Sequence, residues 1–204
     1  MAFIETIAPG DSTEQVRAMY ERQQSAWGFV PNYAKVFCYR PEVMARWGQL
    51  QAEIRRTIDV RRFELITLAA ALELRSSACA LQFGKKVSEH VGAGEVRVLA
   101  QNGRSEAITE AERVMMAFAR KVARDASKIT AGDVDALRQQ GFSEAEIFDI
   151  AAASAGRAFF TKILDALGVE PDAPFMAMDE SLRELLTVGR PIDFHPPEVI
   201  PAAG

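Results

Sequence analysis

From Leu65 to Leu72 the chain reads LITLAAAL, apolar apart from Thr67, with a single acid, Glu64, immediately before it. A helix of that composition keeps almost no side for water, so it has to lie beneath a cover of other elements. Asp59 stands where a cap belongs, and the helix is predicted over about 60–75. The chain then breaks at Arg75-Ser76-Ser77. It restarts, with Ser76 or Ser77 as cap, into a second helix of about 77–91 that stops at Gly92. Cys79 sits just inside that start. Whatever else the chain builds must cover this pair of helices.

The cover is helical too. Ser12 to Gln15 reads as a capping box opening a helix to about Trp27, where Gly28 and Pro31 end it. A short helix through Tyr33–Tyr39 follows. Pro41, with Glu42 beside it, starts a helix to about Thr57 whose Val43, Trp47, Leu50 and Ile54 recur at the spacing of one buried face. A brief helix is predicted at 95–101 and a turn at Asn102-Gly103-Arg104-Ser105. Three further capping boxes, Thr109 to Glu112, Thr130 to Asp133 and Ser143 to Glu146, open helices of roughly 109–125, 130–140 and 143–168. In the last, Ile147, Ile150, Ala151, Ser154, Ala158 and Ile163 trace an apolar-to-small stripe that Gly168 terminates. A helix at 179–187 precedes the proline-rich GRPIDFHPPEVIPAAG, which cannot be helical and reads as an extended arm. No stretch alternates with period two, so the fold class is all-α, with a domain over 1–188 and an arm over 189–204.

An internal echo links Glu64–Ala71 (ELITLAAA) to Glu146–Ala153 (EIFDIAAA). It reads either as a duplicated helical hairpin or as two buried helices with similar needs.

Composition removes several function classes. The 204 residues are 49% hydrophobic and 25% charged, an ordinary globular balance. A net charge of −4 without a basic stripe leaves no electrostatic footprint for nucleic acid. No apolar run has the length of a membrane span, and the opening MAFIETIAPGDS lacks the basic flank and apolar core of a signal peptide. Two cysteines, Cys38 and Cys79, are too few for a disulfide framework, so a reducing, cytoplasmic setting is expected. No Cys/His cluster has metal-ligand spacing, no glycine-rich phosphate loop occurs, and no Ser/His/Asp set is recognisable. Neither cofactor nor metal is expected.

One constellation remains that carries chemistry, a thiol at a helix start with a carboxylate one helix upstream. Amides and the dipole at a helix N-terminus favour a thiolate at Cys79, and Ser76 stands where it can donate a hydrogen bond to the sulfur. Most free cysteines are instead small buried hydrophobes, and that reading stands beside the first. Glu64 is costly to bury unpaired. It either faces a pocket with Cys79 or pairs with Arg61, Arg62 or Arg75. Cys38 is available as a resolving thiol, though nothing local positions it. His195 falls in the arm, where exposure is expected.

WGFVPNY near the start, the acid-bearing helix, SSxC, and the later FFTKILDALGVEPD together resemble the AhpD-like, carboxymuconolactone decarboxylase superfamily. The likeness is closest to its peroxidase-related branch and covers roughly residues 25 to 190. It implies an AhpD-like all-α fold and a redox site made of a CxxC pair, a His four residues after the second Cys, and a Glu about twelve before the first. Carried over residue by residue, Glu64 matches the relay acid and Cys79 the second Cys. Ser76 stands in place of the first Cys and Phe83 in place of the His, so no disulfide can close within the motif. His90 is eleven residues beyond Cys79 and cannot replace that imidazole directly. With Phe83 keeping water off the sulfur and no cation beside it, the resemblance predicts a disarmed thiol whose peroxide turnover is slow or undetectable.

The reading this favours is an AhpD-like thiol-dependent reductase of hydroperoxides, with Cys79 passing through a sulfenic acid, Glu64 managing the proton and Ser76 assisting. An external thiol would be the reductant. The alternative is a non-redox helical protein binding a small organic molecule, or a decarboxylase-like enzyme of the same superfamily. The resemblance also implies a homo-oligomer, for which Met115, Met116, Phe118, Phe159 and Phe160 offer apolar surface, with the arm from about 188 crossing onto a neighbour.

Overall fold

A computed structural model describes residues 2–101 and 104–200. Among the described residues there is no strand. The helices are α1 (Glu14–Trp27), α2 (Asn32–Lys35), α3 (Pro41–Arg56), α4 (Val60–Glu73), α5 (Ser77–Val91), α6 (Ala93–Ala100), α7 (Glu110–Asp125), α8 (Ala131–Gln139), α9 (Glu144–Ala166) and α10 (Glu180–Leu186). The predicted turn at Asn102-Gly103 lies outside the described residues.

Helix α4 is the hub. Every residue from Phe63 to Leu72 is buried, because α5, α7 and α9 pack around it. The alanines permit that approach: Ala69, Ala70 and Ala71 are fully enclosed. Asp59 caps α4 by accepting from the Arg62 backbone N–H. The predicted boxes at Thr109/Glu112, Thr130/Asp133 and Ser143/Glu146 all form, setting the starts of α7, α8 and α9. The two acids of the internal echo do different work. Glu146 closes a capping box at the surface, whereas Glu64 is buried.

Several expectations need correction. Ser12 does not cap α1. Thr13 holds the N-cap position without a side-chain bond, and the Ser12 hydroxyl donates to the Pro9 carbonyl. On α3 the buried residues are Met44 and Trp47, while Val43 and Leu50 face outward. The face turned inward is set by where α9 lies, not by the best apolar count. Met115, Met116, Phe118 and Phe160 are core residues of this chain, and only Phe159 of that group is exposed.

The arm packs on its own chain. The Val30 N–H donates to the Glu198 carbonyl at 2.9 Å, Ile200 N–H to Gln24 at 2.6 Å, and Lys35 pairs with Glu198 at 2.6 Å. Ile192 and Ile200 are buried by this return. Gly189 crosses the α4–α5 junction, giving its N–H to the Ser77 hydroxyl at 2.8 Å. Arg75, at φ 57, is the one non-glycine among the described residues in the left-handed region, and its carbonyl points at the spot a Cβ on residue 189 would fill.

Candidate functional site

Cys79 lies in the first turn of α5 and is 4% exposed. Its sulfur receives two hydrogen bonds, both from α9. Arg157 Nη1 donates at 3.6 Å and the Thr161 hydroxyl at 3.5 Å. Residues 154, 157 and 161 share the face of α9 turned toward α4 and α5, all three buried. An arginine on that stripe, one turn from Ser154, was the legible signal of a site. Arg157 and Thr161 were nevertheless missed, because the motif's own residues end at position 83.

Arg157 is only 5% exposed, and among the described residues no carboxylate comes within ion-pair distance of it. An uncompensated buried cation is expensive. Two things hold it. Its central carbon lies 4.6 Å from the ring centroid of Phe83 and 5.7 Å from that of Phe160, so it is sandwiched on aromatic faces. Its one hydrogen bond to a group able to carry negative charge runs to Cys79. The guanidinium thus places a cationic donor 3.6 Å from the sulfur. This corrects the expectation that no cation stands beside the sulfur. Phe83 is the platform on which a cation from another helix rests.

The other sequence-predicted residues fall elsewhere. Ser76 is fully buried but does not donate to the sulfur, so that expected bond is absent. Its hydroxyl sits by Asp165, whose carboxyl burial lifts to about 6 against the opposing pull of Arg190 and Ser76. Glu64 is buried, yet it pairs with none of the expected arginines. Its Oε2 is 2.9 Å from His90 Nε2, and its Oε1 is 3.9 Å from Lys86 Nζ. Arg61 is taken by Glu112 and Arg62 by Glu146. His90 therefore partners the acid three turns along α5 from the sulfur. Cys38 is buried and forms no disulfide. His195 is exposed, with Nδ1 2.6 Å from Asp193.

A cavity of about 270 Å³ opens on Cys79. Trp47 and Phe160 stack in its wall with centroids 5.7 Å apart, and Tyr33 meets Phe160 edge-on at 5.6 Å. Phe63 and Phe83 form a second edge-on pair at 6.3 Å. Phe175, Trp27, Met44 and Leu164 add to the apolar lining, while Arg55, Lys86, Gln51, Gln82 and Asp172 supply polar groups. Glu64 is not among the lining residues. Burial lifts the Asp172 carboxyl to about 6, opposed by the Asn32 backbone N–H and the charge of Lys35. Burial also raises the Tyr33 phenol. Among the described residues no group of three His, Cys, Asp or Glu side chains could hold a metal ion, and no helix is long and apolar enough to cross a membrane.

No protein-family model and no curated protein sequence matches the chain. Solved structures do. An AhpD-core, peroxidase-related protein from Ralstonia eutropha JMP134 superposes with a TM-score of 0.72 at 21% identity, over 87% of this chain and 95% of that one. A peroxidase-related protein from Silicibacter sp. TM1040 gives 0.71 at 20% identity, over 85% and 95%. The debrominase Bmp8, as a Cys-to-Ala variant in complex with 2,3,4-tribromopyrrole, gives 0.68 at 18% identity, over 91% and 98%. With these likenesses across most of its length and with α4, α5 and α9 packed as described, the chain has the all-α AhpD-like fold.

Proposed function

We propose that the protein is a thiol-dependent peroxidase acting through Cys79 alone. The observation that carries this reading is the buried Arg157, which has no carboxylate partner among the described residues and donates to the sulfur. The thiolate attacks the distal oxygen of a hydroperoxide. An S–O bond forms as the O–O bond breaks, the sulfur is oxidised to the sulfenic acid, and the leaving alkoxide takes a proton. Arg157 and the Thr161 hydroxyl, both beside the sulfur, are the groups to stabilise charge as it moves onto the leaving oxygen. Asp172, with its raised carboxyl, is the acid that lines the cavity and the donor of that proton. Glu64 supports the site from behind, holding His90 in place. With no second thiol in the motif, an external thiol reduces the sulfenic acid. It first forms a mixed disulfide with loss of water, and a second thiol then releases Cys79.

The test is peroxide consumption in the presence of excess dithiothreitol, with trapping of the sulfenic acid by dimedone. Wild type should consume peroxide and carry the adduct on Cys79, and Cys79→Ser should do neither. Wild type that leaves peroxide untouched and takes no adduct would overturn the reading.

A second reading has one observation behind it, the shared fold with a debrominase whose Cys-to-Ala variant was solved with a brominated pyrrole. An aromatic-walled cavity around a reactive thiol also suits replacement of an aromatic halogen by hydrogen, with external thiol as reductant. Halide release from a bromopyrrole would support it, and its absence in wild type would dismiss it. We also propose a homo-oligomer, with Val43, Leu50 and Phe159 as the apolar contact in place of the residues found in the core.

A further inference from the structure

Two buried donors in the cavity around Cys79 have no acceptor, and an exposed guanidinium stands at its rim. Gln51 Nε2 and Arg157 Nε are both buried without a hydrogen-bond partner. Arg55 stands at the rim with its guanidinium carbon 5.7 Å from the Phe63 centroid, and among the described residues no carboxylate is within ion-pair distance of it. Buried donors left unpaired each cost roughly 1–3 kcal/mol, so their clustering in one cavity needs a reason. Lys86 lines the same cavity and is only loosely held by Glu64, at 3.9 Å. The lining therefore carries Arg55, Lys86 and Arg157 against one acid, Asp172. Aromatic rings make up much of the remaining wall, with Met44 and Leu164 beside them. A 150 Å³ apolar cavity accepts benzene, so about 270 Å³ has room for a ring plus a short polar substituent.

We infer that the cavity selects a carboxylate borne on an aromatic ring by a short side chain, its ring against Trp47, Phe63 and Phe83 and its oxyanion on Gln51 and Arg55. Neutral aromatics leave the donors unpaired, and aliphatic acids forgo the stacking and the cation–aromatic alternation of the walls. The inference rests on the peroxidase reading only in naming what this acid carries toward the sulfur, a hydroperoxide on its side chain. Recognition of ring and carboxylate does not depend on turnover.

Binding is measured on the Cys79→Ser chain by tryptophan fluorescence and calorimetry. Both tryptophans of the chain, Trp27 and Trp47, line the cavity, so quenching reports on this site. The probes are 3-phenylpropanoate, 3-phenylpropan-1-ol, which keeps the ring and loses the charge, and octanoate, which keeps the charge and loses the ring. The expected result is that 3-phenylpropanoate binds about tenfold or more tighter than either of the others, the worth of one well-placed charged hydrogen bond. In Gln51→Leu/Arg55→Gln, melting as the parent does, its advantage over the alcohol should fall below about threefold. Equal binding of the alcohol or of octanoate, no binding by any probe, or an undiminished advantage in the double variant would each overturn the inference. Hydrogen peroxide consumption by wild type is read separately. Selective binding without consumption rejects the peroxidase reading alone, and consumption without selectivity rejects this inference alone.

Discussion

At the scale of single residues, reactivity turns on what Arg157 and Phe83 do together. Arg157→Met keeps the bulk and removes every donor. It should slow both peroxide consumption and alkylation of Cys79 by iodoacetamide at neutral pH, by on the order of 100-fold. Thr161→Val removes one hydroxyl at constant shape and should cost no more than about tenfold. Phe83→Leu takes away the face beneath the guanidinium and should fall between the two. Single-turnover kinetics on the three variants check the order, and Arg157→Met within twofold of wild type would refute the cation's role. Asp172 gives a separate test. Its carboxyl is raised from 3.8 to about 6 in the folded chain. The folded state thus holds the extra proton, and the stability this lends is complete below the lower value and lost as pH rises through the upper one. Asp172→Asn keeps an acceptor for the Asn32 N–H and removes that dependence. From pH 4 to pH 7 the variant should gain on wild type by on the order of 1–3 kcal/mol in denaturant titrations. A constant difference across that range would show that burial of Asp172 is not coupled to its charge.

At the scale of elements, the site exists because α5 and α9 are both pressed on α4. The sulfur comes from the first turn of α5, and both of its donors come from the middle of α9. The junction before α5 is fixed from outside by the arm. A Cβ on residue 189 would lie 2.1 Å from the Arg75 carbonyl oxygen, a backbone atom that cannot turn aside. Gly189→Ala should therefore force the arm off Ser77, lowering stability by roughly 1–3 kcal/mol and reducing Cys79 reactivity as the start of α5 loosens. Thermal melts and alkylation rates measured together check this, and a variant equal to wild type in both would show that the junction holds without the arm.

At the scale of the whole molecule, the arm and the exposed apolar residues lead to different expectations. Removing residues 189–204 uncovers the groups that Ile192 and Ile200 bury and breaks the pairing at Val30. It should lower the melting temperature more than it changes the assembly state. Leu50→Glu, in contrast, puts a charge on the α3 surface beside Val43 and Phe159 without touching the core. It should convert an oligomer to the 22.4 kDa monomer with little change in melting. Light scattering on both variants checks the pair, and a wild type already at monomer mass would end the proposal of self-association.

Much was legible in the residue order, wherever the cause is local. Period 3.6, the boxes at Thr109, Thr130 and Ser143, the stops at Gly28, Gly92 and Gly168, and the apolar run of α4 fixed the fold class and the core. Each depends only on neighbours within a turn. The AhpD-like resemblance likewise pointed to Cys79. What residue order could not settle were contacts between distant segments: which acid meets which base, which face of α3 turns inward, and whether the arm returns on its own chain. Glu64 met His90, not an arginine, because helix rotation sets side-chain neighbours. The cation at the sulfur comes from position 157, 78 residues away, since only the packing of α9 on α5 decides what stands beside Cys79.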